Sequence, residues 1–139
     1  MTPARWLLDK SALSRLDRAE VEGVLTPRMD AGLVAVSIVT ELEVGYSARS
    51  TGHYRDTRRL ILDRLLPVHI PPRAEYRARE VQATLVERGQ HRAVSIPDLL
   101  IAATAEIERL TVLHYDADFD LIAEVTGQPS EWIVPRGTI

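Results

Sequence analysis

The chain has 139 residues, 45% of them hydrophobic and 27% charged, with a formal net charge of −3. That suffices for a single domain spanning 1–139 that buries roughly two-thirds of its unfolded surface. With no cysteine, disulfides, zinc–thiolate sites and cysteine nucleophiles are excluded, and no run approaches the ~20 apolar residues of a membrane span.

After Met1-Thr2-Pro3-Ala4-Arg5 comes an apolar stretch too short for a signal peptide, so a cytoplasmic location is expected. Leu7-Leu8-Asp9 reads as a short buried strand that ends the apolar run Trp6-Leu7-Leu8 and is followed by a turn at Lys10-Ser11. Helical spacing runs from about Arg18 to Ala31 and stops at Gly32, a fitting C-terminal cap. Leu33 to Ser37 is a second strand, continuously apolar as expected when both faces are covered. Ser37 can cap a helix from Ile38 to about Ser50, which Thr51-Gly52-His53 breaks; periodicity resumes from Tyr54 to Leu65. Pro67-Val68-His69-Ile70 is a weaker strand stopped by Pro71-Pro72, and an amphipathic helix from Ala74 to Arg88 ends at Gly89. Ser95-Ile96-Pro97-Asp98 looks like the start of a helix that reaches Arg109. A strand at Thr111 to His114, a helix at Phe119 to Thr126 and a strand at Trp132-Ile133-Val134 complete the chain. Strands alternating with helices predict a three-layer α/β/α fold, a central parallel sheet flanked by helices.

Four acids stand at the ends of apolar runs or in the first turns of helices: Asp9, Glu43, Asp98 and Asp116. Strand exits of a parallel sheet converge on one edge, where ligands bind. Carboxylates gathered there raise one another's pKa values unless a cation sits among them, and oxygen-only ligands favour Mg²⁺ or Mn²⁺. Three of the four, Asp9, Asp98 and Asp116, also have an ordinary structural explanation. Asp9 can be a turn former, and Asp98 can serve a helix dipole, worth about 0.3–1 kcal/mol. Asp116 and Asp118 can belong to a solvated loop. Glu43 lies in an apolar helical turn with Val39, Leu42 and Val44, where a charge requires partners. Its competitor Glu41, two positions away, points roughly opposite. Charge is also unevenly spread. Residues 45–97 carry ten Arg against five acids, and residues 98–139 carry eight acids against Arg109 and Arg136. A basic middle suits a phosphate backbone.

Four stretches together resemble PIN-domain ribonucleases, in order and across essentially the whole chain. They are Leu8-Asp9-Lys10-Ser11-Ala12, Thr40-Glu41-Leu42-Glu43-x-Gly45, Ile96-Pro97-Asp98-Leu99-Leu100-Ile101-Ala102-Ala103 and His114-Tyr115-Asp116-Ala117-Asp118-Phe119. Within that group the chain is similar to the VapC toxins. The resemblance implies a Mg²⁺-dependent endoribonuclease that cuts RNA, often tRNA or rRNA, as a homodimer held inactive by a cognate VapB-type antitoxin. It implies Asp9, Glu43, Asp98 and Asp116 as metal-holding catalytic acids assisted by Asp118, with Ser11 and Lys10 toward the substrate. Lys10 and His114 stand where the family usually has Thr.

Two other readings compete. A phospho-acceptor domain needs a Lys after a late strand, but the only Lys is Lys10. A catalytically silent module that merely binds a partner would keep the fold, but would not need all the acids.

Overall fold

The computed structural model describes residues 4–139; Met1, Thr2 and Pro3, where the expectation about a leader begins, lie outside the described residues. Five strands form one sheet: β1 (Trp6–Leu8), β2 (Val34–Ser37), β3 (Leu66–Val68), β4 (Thr111–His114) and β5 (Ser130–Trp132). Their order is β3-β2-β1-β4-β5, and every neighbouring pair is parallel. Leu7 pairs with Ala35 on one side and Val112 on the other, so β1 is central.

Successive residues of a strand point to opposite faces, and here both faces are covered. Leu7 packs with Ala35, Val112 and the apolar sides of α5 (Pro72–Glu87), α6 (Ile96–Glu108) and α7 (Asp118–Thr126). Leu8 packs with Val34, Val36 and Leu113 against α1 (Lys10–Leu13) and α2 (Ala19–Asp30). Helices α3 (Ile38–Tyr46) and α4 (Thr51–Leu60) follow β2, and a 3₁₀ turn at Leu62–Arg64 leads into β3. The three-layer α/β/α expectation is met. Among the described residues no helix is long and apolar enough to cross a membrane.

Several local expectations need correction. Lys10-Ser11 is not a free turn but the opening of α1, because the Asp9 side chain accepts from the Ser11 N–H and caps it. The helix expected to reach Ser50 stops at Tyr46. Thr51-Gly52-His53 is the first turn of α4 rather than a break, since Ser50 Oγ accepts the His53 N–H at 3.0 Å. A strong N-cap outweighs a lone glycine here. Strand β5 sits at Ser130–Trp132, earlier than Trp132-Ile133-Val134, although Ile133 and Val134 are buried. Pairing with β4 ends within that run, at Trp132 and the Ile133 N–H, and burial continues past it to Val134. Glu131 secures the edge strand instead, accepting from Trp6 Nε1 at 3.1 Å and from Arg28 at 2.6 Å.

Candidate active site

The chain runs from β1 outward through β2 to β3, then crosses to β4 and continues outward to β5. Adjacent strands whose connections leave in opposite directions open a crevice at their carboxyl ends. Asp9 leaves β1 at that point, Asp116 follows β4, and Asp98 arrives on the first turn of α6. One carboxylate oxygen from each of the three lies within 4.8 Å of the others. They line a cavity of about 450 Å³ together with Lys10, Ser11, Arg15, Glu43 and Asp118.

Local hydrogen bonds aim these carboxylates. The Asp9 N–H continues the ladder to the Leu113 carbonyl at 2.9 Å. Asp9 Oδ2 accepts from the Ser11 N–H at 2.9 Å and from Ser11 Oγ at 2.6 Å, leaving buried Oδ1 without a partner. The turn-forming role of Asp9 is therefore real, yet it occupies only one oxygen. Ser11 Oγ also accepts the Tyr115 N–H at 2.8 Å, stitching the exits of β1 and β4 together. Thr40 Oγ1 donates to the Leu8 carbonyl at 3.1 Å and ties α3 to the same strand end.

Ser95 caps α6, its Oγ accepting the Asp98 N–H at 3.2 Å. In a capping box the acid three residues on would reach back to the Ser95 N–H. Here Asp118 Oδ2 takes that N–H at 3.2 Å, so the Asp98 carboxylate turns toward Asp9 and Asp116. Asp116 Oδ1 accepts the Asp118 N–H at 2.9 Å, and His114 Nδ1 accepts the Asp116 N–H at 3.1 Å.

Burial pushes the Asp98 carboxyl up to about 9, with Asp118, Asp9 and Asp116 adding to the rise and Ser95 opposing it. Burial likewise raises Asp9, against its bonds to Ser11, and raises Glu43, with the Asp9 charge adding. Burial drives the His114 imidazole the other way, down to about 4. The ion pairs among the described residues include none of Asp9, Glu43, Asp98, Asp116 or Asp118. Crowded hard-oxygen donors outside any ion pair, with a buried Asp9 Oδ1 that has no partner among the described residues, fit a divalent ion such as Mg²⁺ or Mn²⁺.

All the acids singled out in the sequence meet here, though not equally. Glu43 lines the cavity but stands outside the three-oxygen cluster. Leu42 beside it is 65% exposed, so the apolar surroundings expected around Glu43 come from one side only. Glu41 faces away and pairs with Arg58 at 2.5 Å. Lys10 and Ser11 line the cavity as expected, with Arg15, which the sequence reading passed over. Arg15 Nη1 donates to the Ser11 carbonyl at 2.7 Å and its guanidinium lies 4.6 Å from the Tyr115 ring centre. None of the ten arginines of residues 45–97 lines this cavity. Arg15 sits one turn beyond Ser11, and that spacing was the available cue.

A family profile described as PIN domain matches residues 6–125. Ribonuclease VapC2 of Mycobacterium tuberculosis is 50% identical over 138 residues, which cover 98% of this chain and 97% of the relative. Ribonuclease VapC21 of the same organism is 46% identical over 134 residues, covering 96% and 97%. Among solved structures, VapBC2 from Rickettsia felis bound to a DNA fragment from its promoter superposes with a TM-score of 0.78. Identity there is 17%, over 94% of this chain and 99% of that one, a likeness of fold.

Proposed function

The chain belongs to the PIN-domain family and stands with its VapC ribonucleases, and we propose that it cleaves RNA at the acidic crevice between β1 and β4. The observation that carries this reading is the cluster of Asp9, Asp98 and Asp116, three carboxylates each with an oxygen within 4.8 Å of the others. These three residues would hold Mg²⁺ or Mn²⁺, with Asp118 assisting. When bound, the ion supplies charge neutralisation at the phosphate and a water acidified for attack.

The chain's own groups do the rest. Ser11 fixes one oxygen of Asp9 so that the other faces the crevice. Glu43, with its pKa raised and half-buried at the mouth, is suited to taking a proton from a nucleophilic water. Lys10 and Arg15 line the same cavity and offer cations to the phosphates on either side of the cleaved bond. The substrate is RNA, with tRNA and rRNA the first candidates, and the setting is the cytoplasm.

A VapB-type antitoxin partner is part of the same reading. Between α1, α3 and α4 lies a second cavity of about 400 Å³, lined by Leu13, Leu16, Val44 and Ile61. It shares Lys10 and Ser14 with the acidic cavity, so a segment seated there would cover the rim of the site. A homodimer is supported by Ile38, Leu42 and Tyr46, one per turn of α3 and 48%, 65% and 92% exposed. The deciding experiment incubates the purified chain with total RNA in Mg²⁺, in EDTA, and in EDTA followed by Mn²⁺. Cleavage is expected only with a divalent ion. Cleavage that persists in EDTA would remove the proposal.

A further inference from the structure

We propose that His114 is a positioning residue that aims the Asp116 carboxylate by accepting the Asp116 backbone N–H. The inference rests on the reading of Asp116 as a metal-holding acid. His114 is the last residue of β4 and is 0% exposed. Its Nδ1 accepts from the Asp116 N–H at 3.1 Å, which requires a lone pair there and places the proton of the neutral ring on Nε2. That Nε2 is buried and has no hydrogen-bond partner among the described residues. The ring is held between Phe119, 4.9 Å away between centroids, and Trp132 at 5.0 Å.

A side chain needed only to fill this space would be apolar, because phenylalanine or leucine packs there without burying an unpartnered N–H. What imidazole supplies, and they do not, is an acceptor two residues before Asp116. The neighbouring backbone is otherwise committed. The Ile133 N–H takes the His114 carbonyl at 2.7 Å, and the Tyr115 N–H goes to Ser11 Oγ at 2.8 Å. The Asp116 N–H depends on His114, and from it a series continues through Asp116 Oδ1 to the Asp118 N–H and through Asp118 Oδ2 to the Ser95 N–H. Without the first link the peptide between Tyr115 and Asp116 can rotate, and the Asp116 carboxylate loses its bearing on Asp9 and Asp98.

Two measurements test this. A ¹⁵N spectrum of the His114 ring in the parent protein is expected to show the Nε2–H tautomer; an Nδ1–H tautomer would overturn the proposal. Calorimetric titration with Mn²⁺ then compares variants whose folding is checked by cooperative melting. His114→Phe removes the acceptor and is expected to weaken Mn²⁺ binding about tenfold or more. His114→Asn, whose side-chain oxygen can take an N–H two residues on, is expected to bind within about twofold of the parent. Parent-like affinity in His114→Phe, or equal losses in both variants, would sink the idea. Should His114→Phe not fold, the tautomer decides. If Asp116→Asn also leaves Mn²⁺ affinity unchanged, the metal-ligand reading of Asp116 fails and this inference falls with it. If only the His114 variants are parent-like, the inference falls alone.

Discussion

The acidic crevice and the arginine-rich stretch from residue 45 to 97 treat charge in opposite ways. In the stretch, Arg58, Arg59, Arg64, Arg77 and Arg79 each meet a carboxylate, with Glu41, Asp56, Asp30, Glu106 and Glu75 as partners. In the crevice, Asp9 and Asp98 are buried beside Asp116, and the ion pairs among the described residues include none of the three. Exposed ion pairs contribute little to stability and declare nothing about function. Like charges held together out of water cost folding free energy, and a fold retains them where chemistry needs them. The charge segregation visible in the sequence thus includes five arginines already paired with carboxylates, whereas the proposed site is the smaller group of acids outside those ion pairs.

The largest effect expected from breaking this contrast is at Asp98. Asp98→Asn should lower RNA cleavage roughly 10³-fold, within the range for groups that handle protons or charge at a reacting centre. The metal-free variant should nevertheless melt a few degrees higher than the parent, since a crowded carboxylate is gone. Loss of activity together with a lower melting temperature would mean that Asp98 is structural.

Next comes the pair on α3. Glu43→Gln should slow cleavage roughly 10²-fold, whereas Glu41→Gln should leave the rate unchanged and reduce stability by about 1 kcal/mol or less through loss of the Arg58 pair. Equal rates in the two variants would show that the face of α3 has been misassigned.

A third test uses pH. The Asp98 carboxyl, raised from 3.8 to about 9, keeps in the folded state a proton that the unfolded chain releases. Its contribution to metal-free stability is full below about pH 4 and is lost as pH rises through 9. His114, lowered from 6.5 to about 4, has the opposite sign, and its contribution is lost only as pH falls from 6.5 through 4. Between pH 6.5 and 9 the Asp98 effect is therefore free of the His114 one. The rise in melting temperature on adding Mg²⁺ should grow across that window, and binding should release protons, measured calorimetrically in buffers of different ionisation enthalpy. A pH-independent rise would contradict the crowding. The smallest effect is expected in the arginine-rich stretch. Replacing both Glu75 and Arg79, an exposed pair on α5, should change stability by less than about 0.5 kcal/mol and leave cleavage unaltered.

The sheet was legible because β1, β2 and β4 are short apolar runs buried on both faces, as Leu7 and Leu8 at 0% exposure illustrate. Asp9, Asp98 and Asp116 were legible because strand exits and a helix start are marked by local sequence. What the sequence did not disclose depends on contacts between distant segments. Examples are Asp118 relieving Asp98 of its capping duty, Arg58 claiming Glu41, and Arg15 rather than the later arginines reaching the crevice. The break between α3 and α4 was a different failure, because Ser50 carried the local signal and Gly52, two residues on, drew more weight.

The central position of β1 also bears on when the molecule becomes active. During synthesis β1 emerges first and can pair with β2 soon after, but its other edge stays open until Thr111–His114 arrives. Asp98 and Asp116 take their places beside Asp9 only with that late pairing. A chain whose β4 has not yet emerged therefore has no assembled cluster. Pairings between segments far apart in sequence are slow to form, so assembly of the cluster waits on a slow step of folding.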